Sequence, residues 1–342
     1  RETMAAKRQY GAIDIARYIS ALLVVAIHVY PFVDMSPVFN EYFIALVCRL
    51  AVPFFFVVSG YFFFRKIRRG SMEENQEKLK AYLWRIGKIY LIWTVIYLPY
   101  TIWNYAAAGF SWQSVLSWIR DFFLNGSYYH LWFLPAMMLG MVIVWLLYEK
   151  KGMMFTLKVS LGLYFIGYLI NIYAPYWETL PYISILYGFF QKTLVTARDG
   201  FFFAPMFLSL GLLLAKTRRV RARAAGTAFG ISMLLLAGEV TIYGKLGILQ
   251  DLSCMFLMLI PAVFFLVDWL LVLRLPPNPA YRTLRRDSLL IYTSHILFAR
   301  ILLMILPGAH LAVYFLTLAC AQGFAFLVTS NMKRWPVLKN LV

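Results

Sequence analysis

The chain of 342 residues is 62% hydrophobic and 18% aromatic, and only 14% of its residues are charged. A soluble globular domain of this length does not need so much apolar surface, so the composition indicates a polytopic membrane protein. The net charge of +18 would suit nucleic acid, but the positions of the basic residues favour membrane orientation and contact with anionic lipid, and we expect no nucleic-acid partner.

Apolar segments predict an all-α bundle of about ten transmembrane helices. In chain order they lie near 12–33, 41–64, 84–106, 129–148, 154–173, 200–215, 225–243, 248–272, 287–306 and 311–331. Of the 33 lysine and arginine residues, 25 precede the first segment, follow the last, or fall in the loops after every second segment, counting with these loops the two basic residues at the start of the third segment. Cytoplasmic loops carry an excess of such residues, so both termini are predicted to be cytoplasmic. We expect residues 1–342 to form a single domain of a longer protein.

Two of the predicted outer loops contain further structure. Residues 107–128 carry apolar side chains at helical spacing, which predicts a helix lying in the membrane interface. Residues 174–199 are rich in aromatic residues and could hide another short helix that folds over an outer opening. A plain aromatic belt at the interface is the alternative for both loops.

The first apolar segment contains three ionisable residues, Asp14, Arg17 and His28. On an α-helix, eleven steps of about 100° bring Arg17 and His28 to one face, roughly 16 Å apart along the axis. Asp14 shares that face and is expected to hold Arg17 in place. Such residues in a membrane helix usually mark a functional path. The alternative is a buried Asp14–Arg17 pair with His28 merely hydrogen-bonded.

Other candidate site residues lie near the ends of later segments. Arg49 begins the second apolar run, where Pro53 would loosen the helix and Ser59-Gly60 would permit close helix contact. We predict substrate contacts for Arg49, Ser59, His130, Trp132, Arg198, Tyr292 and His295. Interfacial snorkelling of Arg49 and purely structural roles for the histidines are the alternatives. Three cysteines lie in separate apolar segments and are expected to be inert, and we expect no bound metal or cofactor.

The motifs resemble the acyltransferase-3 family of multi-pass bacterial membrane proteins. The resemblance covers nearly the whole chain and rests on the Arg17-x10-His28 spacing and on the segments Arg49–Tyr61, Tyr129–Pro135 and Ser288–His295. Within that family, Thr196–Gly211 and Leu252–Trp269 resemble the membrane half of the vancomycin-resistance (VanT-type) serine racemases. The resemblance implies a bacterial plasma-membrane protein that transfers acyl groups onto extracytoplasmic glycans or similar acceptors. In the racemases a pyridoxal-phosphate domain follows, so a fused or associated soluble domain is also implied.

The chemistry of the first helix suits this implication. An acyl-CoA such as acetyl-CoA is a cytoplasmic polyanion, and its thioester lies at the end of a long pantetheine arm. Arg17 is placed to contact the nucleotide end, while His28 can take a proton from an acceptor hydroxyl or carry the acyl group itself. A basic loop at Arg65–Arg69 could add phosphate contacts, although binding of lipid headgroups explains it as well.

A different class of function remains open. The same polar path could bind or transport a small amino acid such as L-serine for a racemase, without acyl transfer. A transporter would favour paired broken helices and internal symmetry, and we find neither in the sequence. The Arg17–His28 pair therefore favours the acyltransferase, with lipid, acyl-CoA and an outer acceptor as partners.

Overall fold

A computed structural model describes residues 9–219 and 221–342 of the chain, and helices account for most of them. No β-strand occurs within these two ranges. The helices are α1 (Gly11–Val29), α2 (Pro37–Leu46), α3 (Ala51–Phe64), α4 (Met72–Ala108), α5 (Trp112–Leu124), α6 (Phe133–Lys151), α7 (Met153–Ile172), α8 (Ala174–Trp177), α9 (Ile183–Thr193), α10 (Ala204–Lys216), α11 (Ala222–Lys245), α12 (Leu259–Val272), α13 (Ala280–Ile305) and α14 (His310–Asn331).

The described helices confirm an all-α membrane protein. Seven helical stretches are long and apolar enough to cross a bilayer, namely Gly11–Val29, Pro37–Phe64, Tyr129–Lys151, Met153–Ile172, Ala222–Lys245, Ala280–Ile305 and His310–Asn331. The predicted segments 200–215 and 248–272 correspond to the shorter apolar helices α10 and α12, and 84–106 lies within α4. The count of ten and the cytoplasmic termini stay predictions, and the basic residues Arg1, Lys7 and Arg8 lie outside the described residues.

The first helix ends four residues earlier than the sequence predicts. Tyr30 adopts a left-handed conformation with φ of 55°, and its N–H donates to the carbonyl of Ala26. Proline at position 31 disfavours the helical conformation of the residue before it, so the helix stops at Val29. His28 therefore lies in the last turn of α1.

The second predicted span is broken at Arg49. A short 3-10 turn, Cys48–Leu50, separates α2 from α3. Pro53 lacks an N–H, and its ring would clash with the carbonyl of Arg49 four residues earlier in a continuous α-helix. The break places Arg49 in a buried turn rather than in a helix.

The third predicted span, 84–106, forms the C-terminal part of a much longer helix. α4 has 37 residues and extends below position 84 through a charged segment. Ion pairs between Lys78 and Glu74 and between Lys80 and Glu77 join neighbouring turns of this segment. Such pairs support a helix in water, which explains why it continues beyond the apolar stretch.

Helices α3 and α10 approach each other closely at two glycines. A Cβ atom on Gly60 would lie 2.5 Å from the carbonyl oxygen of Leu208, and one on Gly211 would lie 2.4 Å from that of Val57. The predicted close helix contact at Ser59-Gly60 is therefore confirmed. Small residues at such crossings let membrane helices pack backbone to backbone.

Replacing Gly211 by alanine is expected to lower the free energy of unfolding by about 1–3 kcal/mol, since the new methyl group has no room beside the backbone of α3. Gly238→Ala on α11 is the matched control, because a Cβ there meets nothing within 4 Å. Thermal unfolding of both variants in the same detergent measures the difference. Equal stability of the two variants would contradict the close contact.

The predicted span 248–272 is helical only from Leu259. The residues before it are irregular, and side chains from two other helices bind their N–H groups. The Glu239 carboxylate of α11 accepts from the N–H groups of Leu257 and Met258, both at 2.7 Å. Asn171 Oδ1 of α7 accepts from Cys254 at 3.1 Å and from the next residue at 3.2 Å. Irregular backbone is tolerated in a membrane protein where neighbouring protein groups bind it in this way.

The two loops predicted to be structured both contain helices. Residues 107–128 contain α5, and 174–199 contain α8 and α9. The side chain of Arg120 on α5 donates a hydrogen bond of 2.8 Å to the carbonyl of Lys192 on α9, so these two helices are joined.

Reporter cysteines provide a test of the orientation. Cys48 and Cys254 are buried, so only the exposed Cys320 must first be replaced by alanine. A cysteine at the exposed Arg218 is expected to react only with membrane-permeant maleimide, and one at Ser111 also with an impermeant reagent. External labelling at position 218 would invert the predicted topology.

Candidate functional site

Helices α1 and α13 run in the same direction and contact each other at both ends. Near the start of α1, Asp14 Oδ1 lies 3.3 Å from Arg17 Nη1 and 3.7 Å from Arg285 Nε. Near its end, His28 Nδ1 lies 3.1 Å from His295 Nε2. Asp14 and His28 thus lie on the face of α1 that meets α13, and Asp14 pairs with Arg17, while the predicted roles of the three residues stay predictions.

Three histidines from three parts of the chain meet at the end of α1. The ring centroids of His28 and His295 are 5.1 Å apart, those of His130 and His295 are 5.3 Å apart, and those of His28 and His130 are 6.4 Å apart. His130 and His295 are buried, while His28 is half-buried. Over the ranges 9–219 and 221–342, no group of three His, Cys, Asp or Glu residues is arranged to hold a metal ion.

The turn that carries His130 is fixed to α13 by hydrogen bonds. Tyr292 Oη donates to the carbonyl of His130 at 2.5 Å, and His130 Nε2 lies 3.1 Å from the carbonyl oxygen of Thr293. Tyr97 of α4 donates to the same Thr293 carbonyl at 2.6 Å. Three of the predicted substrate-binding residues, His130, Tyr292 and His295, thus lie in one cluster with His28.

A cavity of about 1010 Å³ opens beside this histidine cluster. Tyr129 joins the two, because its ring lines the cavity and its centroid lies 5.4 Å from that of His28. Trp132 and Arg198 also line the cavity, and the guanidinium of Arg198 stacks 4.8 Å from the centroid of the Trp132 ring. By the predicted topology this is the outer side of the membrane.

Two arginines that line this outer cavity, Arg198 and Arg300, and Arg49 beside Arg198 have no carboxylate partner among the described residues. No described carboxylate forms an ion pair with Arg49, Arg198 or Arg300. Arg49 donates to the carbonyl of Asp251 and is close enough to Arg198 for their charges to interact. The Nε atoms of Arg49 and Arg198 are buried and bind no protein group in the part of the chain that the structure describes. These two N–H groups are therefore buried without a protein acceptor among the described residues.

Arg300 is a residue of this cavity that the sequence analysis did not single out. It donates to the hydroxyl of Tyr128 and, at 3.3 Å, to Asn104 Oδ1. Its position inside an apolar segment was the available signal, because a cation there rarely faces lipid.

The start of α1 lies in a second cluster, made of arginines and aromatic rings. The guanidinium of Arg17 lies 5.4 Å from the centroid of Phe62, and that of Arg219 lies 4.6 Å from the centroid of Tyr61. Arg65 stacks over the same Tyr61 ring at 5.3 Å. Arg219 and Arg285 were read from the sequence only as markers of orientation, and nothing in the local pattern distinguishes them from other basic loop residues.

Ser59 is a predicted site residue whose hydrogen bonds lie outside both the histidine cluster and the arginine-aromatic cluster. Its hydroxyl lies 2.7 Å from that of Tyr82 and 3.4 Å from the sulfur of Met137. It thus links α3 to α4 and α6, and its predicted contact with substrate stays a prediction.

Comparison with known proteins places the chain in a family. Residues 10–330 match the Acyl_transf_3 family model, described as an acyltransferase domain. The chain belongs to the acyltransferase-3 family, and its apolar helices make it a bacterial multi-pass membrane protein.

The curated relatives are longer proteins. An amino-acid racemase from Enterococcus faecalis is 31% identical over 288 residues, which are 84% of this chain and 39% of that protein. A serine/alanine racemase from Enterococcus gallinarum is 30% identical over 284 residues, which are 83% of this chain and 40% of that protein. The chain therefore spans well under half the length of these relatives. No solved structure matches it significantly.

Proposed function

We propose that this protein transfers an acyl group from cytoplasmic acyl-CoA to a hydroxyl acceptor on the outer side of the membrane. The observation that carries the proposal is the arrangement along α1. Arg17 lies in the arginine-aromatic cluster at one end, and His28 lies beside the outer cavity at the other. The separation of roughly 16 Å along the helix suits a donor with a long flexible arm.

The arginine-aromatic cluster suits the nucleotide end of the donor. Guanidinium groups form charge-assisted, forked hydrogen bonds with phosphates, and they stack on planar rings. Asp14 lies near two of these arginines and orients them. The predicted topology puts this end of α1 on the cytoplasmic side, where acyl-CoA is made.

The outer cavity suits a hydroxyl-rich acceptor. Its size lies at the upper end of the range for small-molecule sites. Aromatic rings such as Trp118 and Tyr187 and side-chain amides such as Asn125 and Gln191 line it. Flat apolar faces next to amide donors and acceptors match the alternating CH and OH groups of a sugar.

In the proposed reaction, His28 acts as the base and an arginine stabilises the developing negative charge. His28 removes the proton of the acceptor hydroxyl, whose oxygen then bonds to the thioester carbonyl carbon as the carbon–sulfur bond breaks. Negative charge develops on the carbonyl oxygen, and the guanidinium of Arg198, which lines the outer cavity, is the donor that we assign to it. His28 then gives the proton to the departing thiolate, so the products are the acylated acceptor and the CoA thiol and the base is regenerated.

Calorimetry with the purified protein tests the choice of donor. Acetyl-CoA is expected to bind, and dephospho-CoA is expected to bind more weakly because it lacks one phosphate for the arginines to contact. Transfer of radiolabel from acetyl-CoA to material inside inverted membrane vesicles then tests the reaction. Binding of L-serine without binding of acetyl-CoA would overturn the proposal.

A second function is favoured by one observation on the relatives and one on the cavity. The relatives named above are racemases of amino acids. The outer cavity contains both cations, Arg198 and Arg300, and the carboxylates of Asp121 and Glu178. Opposite charges at separate points suit a zwitterion such as L-serine, which the chain would then bind or transport for a racemase.

A further inference from the structure

The hydrogen bonds around His28 and His295 fix which nitrogen of each ring carries the proton. His295 Nδ1 lies 2.7 Å from the carbonyl oxygen of Tyr292 and 3.1 Å from that of Ile291. A carbonyl oxygen only accepts hydrogen bonds, so Nδ1 of His295 must carry the proton. In a neutral ring the other nitrogen, Nε2, is then a bare acceptor.

The contacts of His28 also fix which of its ring nitrogens carries the proton. The bare Nε2 of His295 lies 3.1 Å from His28 Nδ1, which therefore has to be the donor. The carbonyl oxygen of Val24 lies 3.0 Å from the same Nδ1 and also requires a proton there. The opposite assignment would set bare nitrogens against three carbonyl oxygens, so the four contacts agree on a single arrangement.

The arrangement leaves Nε2 of His28 unprotonated. No hydrogen bond joins this nitrogen to another described residue, and the ring is half-buried rather than enclosed. The His28 ring also lies beside Tyr129, which lines the outer cavity. Nε2 of His28 thus has no hydrogen-bond partner among the described residues, and within the same part of the chain the ring nitrogens of His295 contact only His28 and their own helix backbone.

We propose that His295 is a positioning residue: its Nε2 accepts the Nδ1 proton of His28 and so keeps the Nε2 of His28 free to act as the base. The proposal rests on the acyl transfer proposed above. When His28 Nε2 takes the proton of the acceptor hydroxyl, the ring becomes a cation with an N–H on both nitrogens. A charged donor binds more strongly, so the bond to His295 stabilises that cation. This role differs from the substrate contact that the sequence predicts for His295.

The tautomers can be observed without any substrate. The chain has 4 histidines, and with nitrogen-15 label on histidine alone each ring gives separate signals for bare and protonated nitrogens. We expect the proton on Nδ1 in His28 and His295. In His130 we expect it on Nε2, which faces the carbonyl of Thr293. A His28 with its proton on Nε2 would overturn the proposal.

Two variants at position 295 distinguish a role of His295 in orienting His28 from a role in packing alone. His295→Gln places an amide oxygen near the former Nε2, so it can still accept from His28. His295→Asn reaches only the former Nδ1 position, so it keeps the bond to the helix backbone and loses the contact with His28. We expect the glutamine variant to retain the His28 tautomer and the asparagine variant to give a mixture of both forms. An unchanged tautomer in a folded asparagine variant would exclude His295 as the orienting group.

The same pair tests the consequence for acyl transfer from acetyl-CoA. His295→Asn is expected to lower kcat by at least about tenfold, and by no more than the 10² to 10⁴ that the general base itself contributes, with an unchanged KM for acetyl-CoA. His295→Gln should recover most of that loss. Equal kcat values in the two variants would contradict positioning through His28. If the wild type transfers no acetyl group, the proposed function fails, while the tautomer assignment is still decided by the nitrogen signals.

Discussion

Replacing His28 by alanine is expected to lower the rate of acyl transfer by about 10² to 10⁴, the usual contribution of a general base. Binding of acetyl-CoA should stay close to the wild-type affinity, because His28 lies at the opposite end of α1 from the arginine-aromatic cluster. Transfer of label from acetyl-CoA in membrane vesicles and calorimetry of the purified variant measure the two quantities separately.

His310 provides the matched control for this substitution. It is a histidine near the same end of the bundle, but its Nδ1 binds the carbonyl of Val29 at 2.6 Å and its ring has no contact with the three clustered histidines. His310→Ala should therefore leave the transfer rate near that of the wild type. A His28→Ala protein that transfers acyl groups normally would remove His28 from the chemistry.

Replacing Arg17 by alanine is expected to weaken binding of acetyl-CoA by about 1.5–3 kcal/mol, the contribution of a charge-assisted hydrogen bond. This corresponds to roughly a 10- to 150-fold higher dissociation constant. Arg17→Lys should lie between the alanine variant and the wild type, because lysine keeps the charge and loses the planar fork. Calorimetry with acetyl-CoA at fixed salt measures all three.

Lys333→Ala is the control for the loss of one positive charge. Lys333 is exposed and follows the last membrane helix on the side where α1 begins, by the predicted topology. Its removal should change the affinity for acetyl-CoA little. Equal losses in the two variants would mean that Arg17 acts only through the general charge of this face.

The sequence predicts the class of fold well because apolar length is a strong signal in a membrane protein. It places the helix ends less well, and each difference has a physical cause. At Val29 the cause is the left-handed Tyr30 before a proline, and at Arg49 it is the ring of Pro53 four residues later. Before Leu259 the cause is tertiary, because Glu239 and Asn171 bind N–H groups that a helix would otherwise pair. Periodicity along one segment carries no information about such partners.

In the candidate site, too, the sequence predicts what depends on one helix and misses what depends on contacts between distant segments. Helical spacing alone put Asp14 and His28 on one face, since both residues belong to a single helix. The sequence also named His130 and His295, but it gave no reason to place them against His28, because the three histidines are separated by more than a hundred residues of chain. Arg285 and Arg219 could not be identified in advance, since a basic residue in a cytoplasmic loop is the expected background.

The side chains that bind the irregular segment before α12 have a consequence for biosynthesis. Asn171 and Glu239 both precede residues 254–258 in the chain, so the ribosome delivers both partners before the backbone that needs them. Domains and segments generally assemble from the N-terminus during synthesis. The N–H groups of this segment can thus pair with Asn171 and Glu239 as soon as the segment has been made. A circularly permuted gene that made residues 246–272 first would release this backbone with its N–H groups unpaired.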